Sequence, residues 1–254
     1  MIGKVTVIGL GPGNVNQLTP EASHALQAAD VVFGYGPYLD RVPARAGQRR
    51  RASDNRQEID RATQALTDAA EGASVAVVSG GDPGVFAMAA AVCEALEHGP
   101  ATWREIDLAI VPGITSMLAV AARVGAPLGH DFCALSLSDN LKPWPVIERR
   151  LQAAASAGFV IALYNPISRA RPWQLDRAFE TLRAHLPPAT PVVFGRAVGR
   201  SDERVRVTPL SAADGSEADM ATCVIVGSSE TRVVERPNRT ALIYTPRSNS
   251  APIT

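Results

Sequence analysis

Three glycine-rich turns carry the densest concentration of chemistry in this sequence: Gly9-Leu10-Gly11-Pro12-Gly13, Gly80-Gly81-Asp82-Pro83-Gly84 and Pro112-Gly113-Ile114-Thr115-Ser116. Glycine lets a backbone come close to a ligand and adopt conformations that other residues resist. Each turn follows a short apolar, β-branched run. A dinucleotide reading of the first turn fails on detail. GxGxxG needs glycine where Asn14 stands, and Pro12 lacks the amide that should face a pyrophosphate. The acid that should close the second strand is missing as well: Asp30 precedes that strand and Gly34 follows it. A phosphate-cradling P-loop fails for want of GK[ST]. What survives is a tight strand-to-loop turn that brings backbone to a small ligand. In the second turn Asp82 precedes Pro83 ahead of a helical pattern, which suits an N-cap, and a capped helix start would hold the glycine backbone still.

Other residues are more ambiguous. Arg41, Arg45, Arg49, Arg50, Arg51 and Arg56 face one acid, Asp54, over sixteen positions. Such a run usually reads as a solvated, mobile loop, and a polycarboxylate or RNA would give it work. Tyr164-Asn165-Pro166 closes an apolar run, with Ser168 and Arg169 beyond it. Pro166 favours an extended Asn165, suited either to a cleft or to a plain strand-ending turn. His24, His98, His130 and His185 have no metal-ligand spacing, and no metal is expected. No GxSxG or HExxH occurs.

The elements that would position these residues follow from hydrophobic period. Strands are expected at Val5–Ile8, Val31–Phe33, Val75–Ser79 and Leu108–Val111. Helices are expected after Thr19, from Asp54, and over the segment carrying Val85, Met88, Val92 and Leu96. This alternation implies a mostly parallel sheet covered on both faces, with ligand sites at the carboxyl ends of its strands. The pattern breaks near Gly125–Gly129, so the domains are expected to be 1–127 and 128–254. In the second, strands near Ala134–Leu137, Phe159–Leu163, Val192–Phe194, Cys223–Val226 and Leu242–Tyr244 flank helices near Val146–Ala157 and Trp173–Leu186. The later strands follow without helices, which predicts an antiparallel portion.

Composition narrows the function classes. The chain has 254 residues, 46% hydrophobic and 20% charged, with formal net charge zero. Wholesale disorder and a nucleic-acid-coating surface are excluded on these values. Lys4 and Lys142 are the only lysines, which leaves 23 of the 25 basic residues as arginine. Cys93, Cys133 and Cys223 lack CxxC spacing and are expected to be small buried side chains in a reducing compartment. No run approaches the ~20 apolar residues of a membrane span, and no signal peptide is visible, so a soluble, cytoplasmic protein is expected.

Taken together, VIGLGPG (Val7–Gly13), SGGDPGVFAMA (Ser79–Ala89), VPGITS (Val111–Ser116), ALYNP (Ala162–Pro166) and DMATCVIVGSSET (Asp219–Thr231) resemble the tetrapyrrole (corrin/porphyrin) methyltransferases, in order and over nearly the whole chain. Ser136–Leu151, Leu163–Arg171 and Leu242–Arg247 are similar to one branch, which methylates C17 of precorrin-3B and contracts the macrocycle on the way to cobalamin. The resemblance implies two α/β domains, a parallel N-terminal sheet and a mixed C-terminal sheet, with the active-site cleft between them. It also implies a homodimer, a small tetrapyrrole substrate, no nucleic acid and no membrane. The implied cofactor is S-adenosyl-L-methionine, leaving as S-adenosyl-L-homocysteine. Its implied contacts are Gly11, Pro12, Gly80, Gly81, Asp82, Val85, Thr115, Ser116, Tyr164, Asn165, Ala197, Ala221 and Thr222.

Methyl transfer from a sulfonium is an in-line displacement, so placement dominates, with reacting atoms ~3–3.5 Å apart. An electron-rich pyrrole-derived carbon needs little activation. Substrate acetates and propionates need cations, for which Arg41, Arg45 and Arg169 are candidates. Ring contraction also needs a proton to leave an oxygen. Asp139, with Lys142 nearby, is the candidate for that transfer, and a local turn role for Asp139 competes. Alternatives are a sister enzyme acting on precorrin-4 or precorrin-2, an RNA or protein methyltransferase of the same fold, and a nicotinamide-dependent reductase, which Asn14 disfavours.

Overall fold

Three of the apolar β-branched runs, Val5–Ile8, Val31–Phe33 and Val75–Ser79, form central parallel strands whose near-complete burial makes them read as continuous rather than alternating, whereas Leu108–Val111 is an edge strand with Ile110 exposed. The structure is a computed structural model that describes residues 2–54, 56–168 and 170–248. Arg169 lies outside the described residues. The chain forms two compact units, Met1–Ser116 and Met117–Thr254, so the first ends ahead of the Gly125–Gly129 break in the sequence pattern.

The first unit runs β1 (Lys4–Gly9), α1 (Pro20–Ala28), β2 (Val31–Tyr35), α2 (Gly36–Leu39), β3 (Arg49–Ser53), α3 (Glu58–Ala70), β4 (Ser74–Ser79), α4 (Met88–His98) and β5 (Asp107–Val111). Its sheet is parallel throughout, in the order β3-β2-β4-β1-β5. Alternate residues point to opposite faces. Val5, Val7, Val31, Phe33, Val75 and Val77 pack under α3 and α4, while Ile8, Val32, Ala76 and Val78 pack under α1 and α2. From β1 the chain returns at β2, beyond β4; from β4 it returns at β5, beyond β1. The two exits therefore cross at the carboxyl edge of the sheet.

The arginine run is built structure rather than a solvated loop. Arg49–Ser53 is the edge strand β3, and its arginines alternate. Arg50 donates to the carbonyls of Leu39 and Val42, while Arg49 and Arg51 turn to Asp68 on α3, and Arg51 also lies over the Phe33 ring. A charged edge strand resists pairing with other chains, and its lack of apolar residues hid it from a hydrophobicity reading. The helix expected from Asp54 starts at Glu58, because the chain first turns through the mutual contacts of Asp54 and Gln57.

The second unit is entered through α5 (Ser116–Val124). It continues with β6 (Gly125–Ala126), β7 (Phe132–Ser136), α6 (Trp144–Ser156), β8 (Val160–Tyr164), α7 (Gln174–Arg183), β9 (Pro191–Arg196), β10 (Arg204–Pro209), β11 (Thr222–Val226), β12 (Arg232–Arg236) and β13 (Arg239–Tyr244). A mixed sheet runs β10-β9-β11-β8-β7, with β7 parallel to β8 and the β8-β11-β9-β10 pairings antiparallel. This is the antiparallel portion expected from strands without intervening helices. Strands β10 and β12 were not expected; both are arginine-rich edges. A small sheet, β12-β13-β6, completes the unit. Leu151, Leu175, Phe179 and Leu182 from α6 and α7 cover one face of the larger sheet. Of the cysteines, Cys223 is buried and its thiol is pushed up to about 12 by burial, Cys133 is partly buried, and Cys93 is exposed on α4. The expectation of burial therefore fails at Cys93.

Helix α5 meets the other face of that sheet at a glycine. A Cβ on Gly195 would collide with the Val120 side chain, itself 1% exposed. Gly195→Ala is expected to cost ~1–3 kcal/mol by overpacking. Adding Val120→Ala should return a large part of that loss, a non-additivity that a double-mutant denaturation series measures.

Candidate active site

The crossing exits of β1 and β4 meet through their backbones. The Gly11 amide donates to the Gly81 carbonyl at 3.1 Å, and the Gly81 amide donates back to Gly11 at 2.9 Å. Both glycines hold left-handed conformations, φ +63° and +68°. The third turn closes on the same point: a Cβ on Gly9 would lie 2.7 Å from the Gly113 nitrogen and 2.7 Å from the Gly81 oxygen. No larger residue fits there. The three glycine turns thus form one backbone-lined edge.

Asp82 locks this edge, in a way other than the capping expected of it. Its Oδ1 accepts from the Gly84 amide at 2.8 Å, and its Oδ2 accepts from the Gly113 amide at 3.0 Å. Helix α4 begins only after Ala87, with no side-chain cap. One carboxylate therefore ties the second turn to the third. Pro12 lies within the first turn and Val85 follows the second, Thr115 is buried, and Ser116 opens α5. Phe86, half exposed, sits at φ +52°, a costly conformation for a bulky residue that tends to mark functional turns. Asp30, by contrast, accepts from the Ser74 amide at the amino edge of the sheet, far from where a ribose acid would be needed.

Arg41 braces the first turn from behind, donating Nη2 to the carbonyls of Leu10 and Gly11 at 3.0 and 2.7 Å. Arg45 donates to the Ala29 carbonyl at 2.7 Å.

In the second unit the carboxyl ends of β7, β8 and β9 and the amino end of β11 share one edge, and the other candidates gather there. Asn165 follows β8 at φ +50°, left-handed rather than extended as expected before Pro166, and its side-chain amide donates to Ser136 Oγ at 3.0 Å. The Tyr164 hydroxyl accepts from the Met117 amide at 3.0 Å, which satisfies an otherwise unpaired donor in the first turn of α5. Ala197, 4% exposed at φ +49°, donates its amide to the Ala221 carbonyl at 2.9 Å. Asp219 accepts from the Thr222 hydroxyl, the Ala221 amide and Arg196 Nε at 2.8, 2.9 and 2.7 Å. Burial acts to raise the Asp219 carboxyl, but these donors outweigh it and hold it below its ordinary value. Asp139, on the loop after β7, is paired with Arg171 at 2.8 Å and accepts from Gln174 at 2.8 Å. On the same loop, burial and the nearby Arg150 push Lys142 down.

Residues 4–214 match the family profile of the Tetrapyrrole (Corrin/Porphyrin) Methylases. The chain belongs to this family. It is a methyltransferase. A precorrin-3B C(17)-methyltransferase of Sinorhizobium sp is 66% identical over 97% of each chain. The crystal structure of the methyltransferase CobJ superposes with TM-score 0.92 at 50% identity, over 96% of this chain and all of that one. A uroporphyrin-III C-methyl transferase from Thermus thermophilus, complexed with S-adenosyl homocysteine, shares the fold, with TM-score 0.67 at 24% identity over 89% and 97%.

The sequence pointed to the turns of this methylase without revealing what braces them. Ser136, Gln174 and Arg171 were not singled out, because a lone serine, glutamine or arginine carries no spacing signal before strand order brings it to the edge.

Asp82→Asn is expected to keep one of its two amide contacts and to lower stability by ~1–3 kcal/mol, read by denaturation of the ligand-free protein. The depressed Asp219 carboxyl adds stability that is present above its unfolded value, ~3.9, and lost as pH falls through its lower folded value. The difference in melting temperature between wild type and Asp219→Asn should therefore stay constant above about pH 5 and shrink below about pH 4.

Proposed function

We propose that this methylase transfers a methyl group from S-adenosyl-L-methionine to C17 of precorrin-3B, with ring contraction, in cobalamin biosynthesis. The observation that carries the reading is the 66% identity to a protein of that name over 97% of both chains, supported by 50% identity to CobJ over its full length.

The residues present fit such a cofactor. The first edge offers glycine backbone at positive φ and the Thr115 and Ser116 hydroxyls, while its three turns carry no lysine or arginine and Pro12 has no amide to donate. Such a surface suits a nucleoside bearing an amino acid rather than a polyphosphate. The residues proposed to contact it are Gly11, Pro12, Gly80, Gly81, Asp82, Val85, Thr115, Ser116, Tyr164, Asn165, Ala197, Ala221 and Thr222. When bound, it supplies an electrophilic methyl group on sulfonium sulfur.

The chain's own work is placement. Asp82 and the Gly11–Gly81 pair fix the turns before any ligand arrives, which removes the entropy of ordering them at binding. Asn165 and Ala197 are held at positive φ by Ser136 and Ala221, so their side chains and amides keep one direction. A carboxylate and an ammonium on the loop after β7 would serve the contraction. Asp139, oriented by Arg171 and Gln174, would take the departing proton, and Lys142 would sit beside it.

Incubation of the purified protein with S-adenosyl-L-methionine and precorrin-3B is expected to give a methylated, contracted product by mass and absorbance. An unaltered macrocycle would overturn the reading. Asp139→Asn is expected to keep cofactor affinity, measured by calorimetry with S-adenosyl-L-homocysteine, and to lose contraction. A normal product spectrum would remove Asp139 from the reaction.

A further inference from the structure

Two segments of the second unit, one following β7 and one following β8, are laced together at the carboxyl edge of those strands. Asp139 Oδ1 accepts from Arg171 Nη1 and from Gln174 Nε2, both at 2.8 Å, and the buried Gln174 also donates to the Leu137 carbonyl. Ser168 and Arg171 exchange backbone hydrogen bonds. The Trp144 and Trp173 rings pack edge to face, with centroids 4.8 Å apart.

These contacts fix the two segments but leave three buried polar atoms on them with no hydrogen-bond partner: Trp144 Nε1, Ser168 Oγ and Arg171 Nε. A buried polar group left unpaired is costly, and three on adjoining segments call for a reason. The indole and guanidinium nitrogens can only donate, and the hydroxyl can donate as well. What completes them is therefore an acceptor. Lys142, on the first segment, favours an acceptor with negative charge. Burial and the nearby Arg150 both act against its ammonium, and no acid among the described residues acts for it. Asp139 does not supply that charge, since it is already paired with Arg171. Beside the donors, Leu141 is almost wholly exposed and Trp173 partly so. An anion joined to a broad apolar body matches this surface better than a free small ion.

We propose that Trp144 Nε1, Ser168 Oγ and Arg171 Nε bind one carboxylate arm of the macrocyclic substrate and so help to determine which macrocycle is accepted. The two oxygens of a carboxylate have about four lone-pair sites, enough for all three donors. The proposal deepens the methyl-transfer reading and rests on it for the substrate, but uses none of the residues proposed to contact the cofactor. Arg171 serves both ends of the arrangement. Its Nη1 holds Asp139 while its Nε holds the arm, which sets the macrocycle in register with the proposed proton acceptor.

Uroporphyrin III, a macrocycle with acetate and propionate arms, is the probe, read by the anisotropy of its own emission. Trp144→Phe, which keeps a ring against Trp173, and Ser168→Ala are each expected to bind it about tenfold more weakly, the loss of one charge-assisted hydrogen bond. The KM for precorrin-3B should rise by a similar factor. Ser168→Ala should leave the melting temperature of the ligand-free protein unchanged or higher, because its hydroxyl has no bond there to lose. Equal probe affinity in wild type and both variants, or a lower melting temperature for Ser168→Ala, would overturn the proposal. Methylation of precorrin-3B with one KM in all three proteins would overturn it too, and would leave the methyl-transfer reading standing. No methylation, with probe binding that still depends on the donors, would instead overturn that reading and support a carboxylate subsite.

Discussion

The crossing of two chain exits at one sheet edge is the constraint from which the rest of the site follows. With strand order β3-β2-β4-β1-β5, the chain leaving β1 must pass the end of β4, and the chain leaving β4 must pass the end of β1. Two backbones can cross so closely only where side chains are absent. Gly9, Gly11, Gly81 and Gly113 occupy the crossing, and the hydrogen bonds between Gly11 and Gly81 turn a steric problem into a short antiparallel bridge. A crossing of this kind leaves amides and carbonyls at a rigid edge, and glycine's entropic cost is offset by bonds made in the folded state. Asp82 extends the same logic to the third turn by accepting from both Gly84 and Gly113.

The second unit reaches a comparable rigidity without glycine. Asn165 and Ala197 hold left-handed backbone, which costs a non-glycine residue of order 1–3 kcal/mol. Each is over-determined by a neighbour across the sheet edge, Ser136 for Asn165 and Ala221 for Ala197. Strain that persists only because its surroundings insist on it is a mark of preorganisation. Where the first unit removes Cβ atoms, the second holds them in place and spends strain to do it.

Much of this was legible in the residues themselves. Glycine turns after β-branched runs located the first edge, and the repeated strand-helix pattern gave a parallel sheet with its ligand side. Burial period gave most helices and central strands to within a few residues. The failures share a cause. Strands β3, β10 and β12 are arginine-rich, largely exposed edges, so no buried apolar pattern marks them. Asp82 offered a local cap, and the fold instead gave it an amide thirty-one residues away, a partner that exists only once β4 and β5 flank β1. Cys93 looked buried because its helix neighbours are alanines and valines, but it faces outward.

The same distinction explains the arginine content. Arg41, Arg45, Arg50, Arg183 and Arg236 each donate to backbone carbonyls of loops or strand ends. A guanidinium fork can reach two carbonyls at once in a fixed plane, which a lysine ammonium on a flexible stem does poorly. At these five positions arginine substitutes for secondary structure, closing the hydrogen bonds that turns leave open.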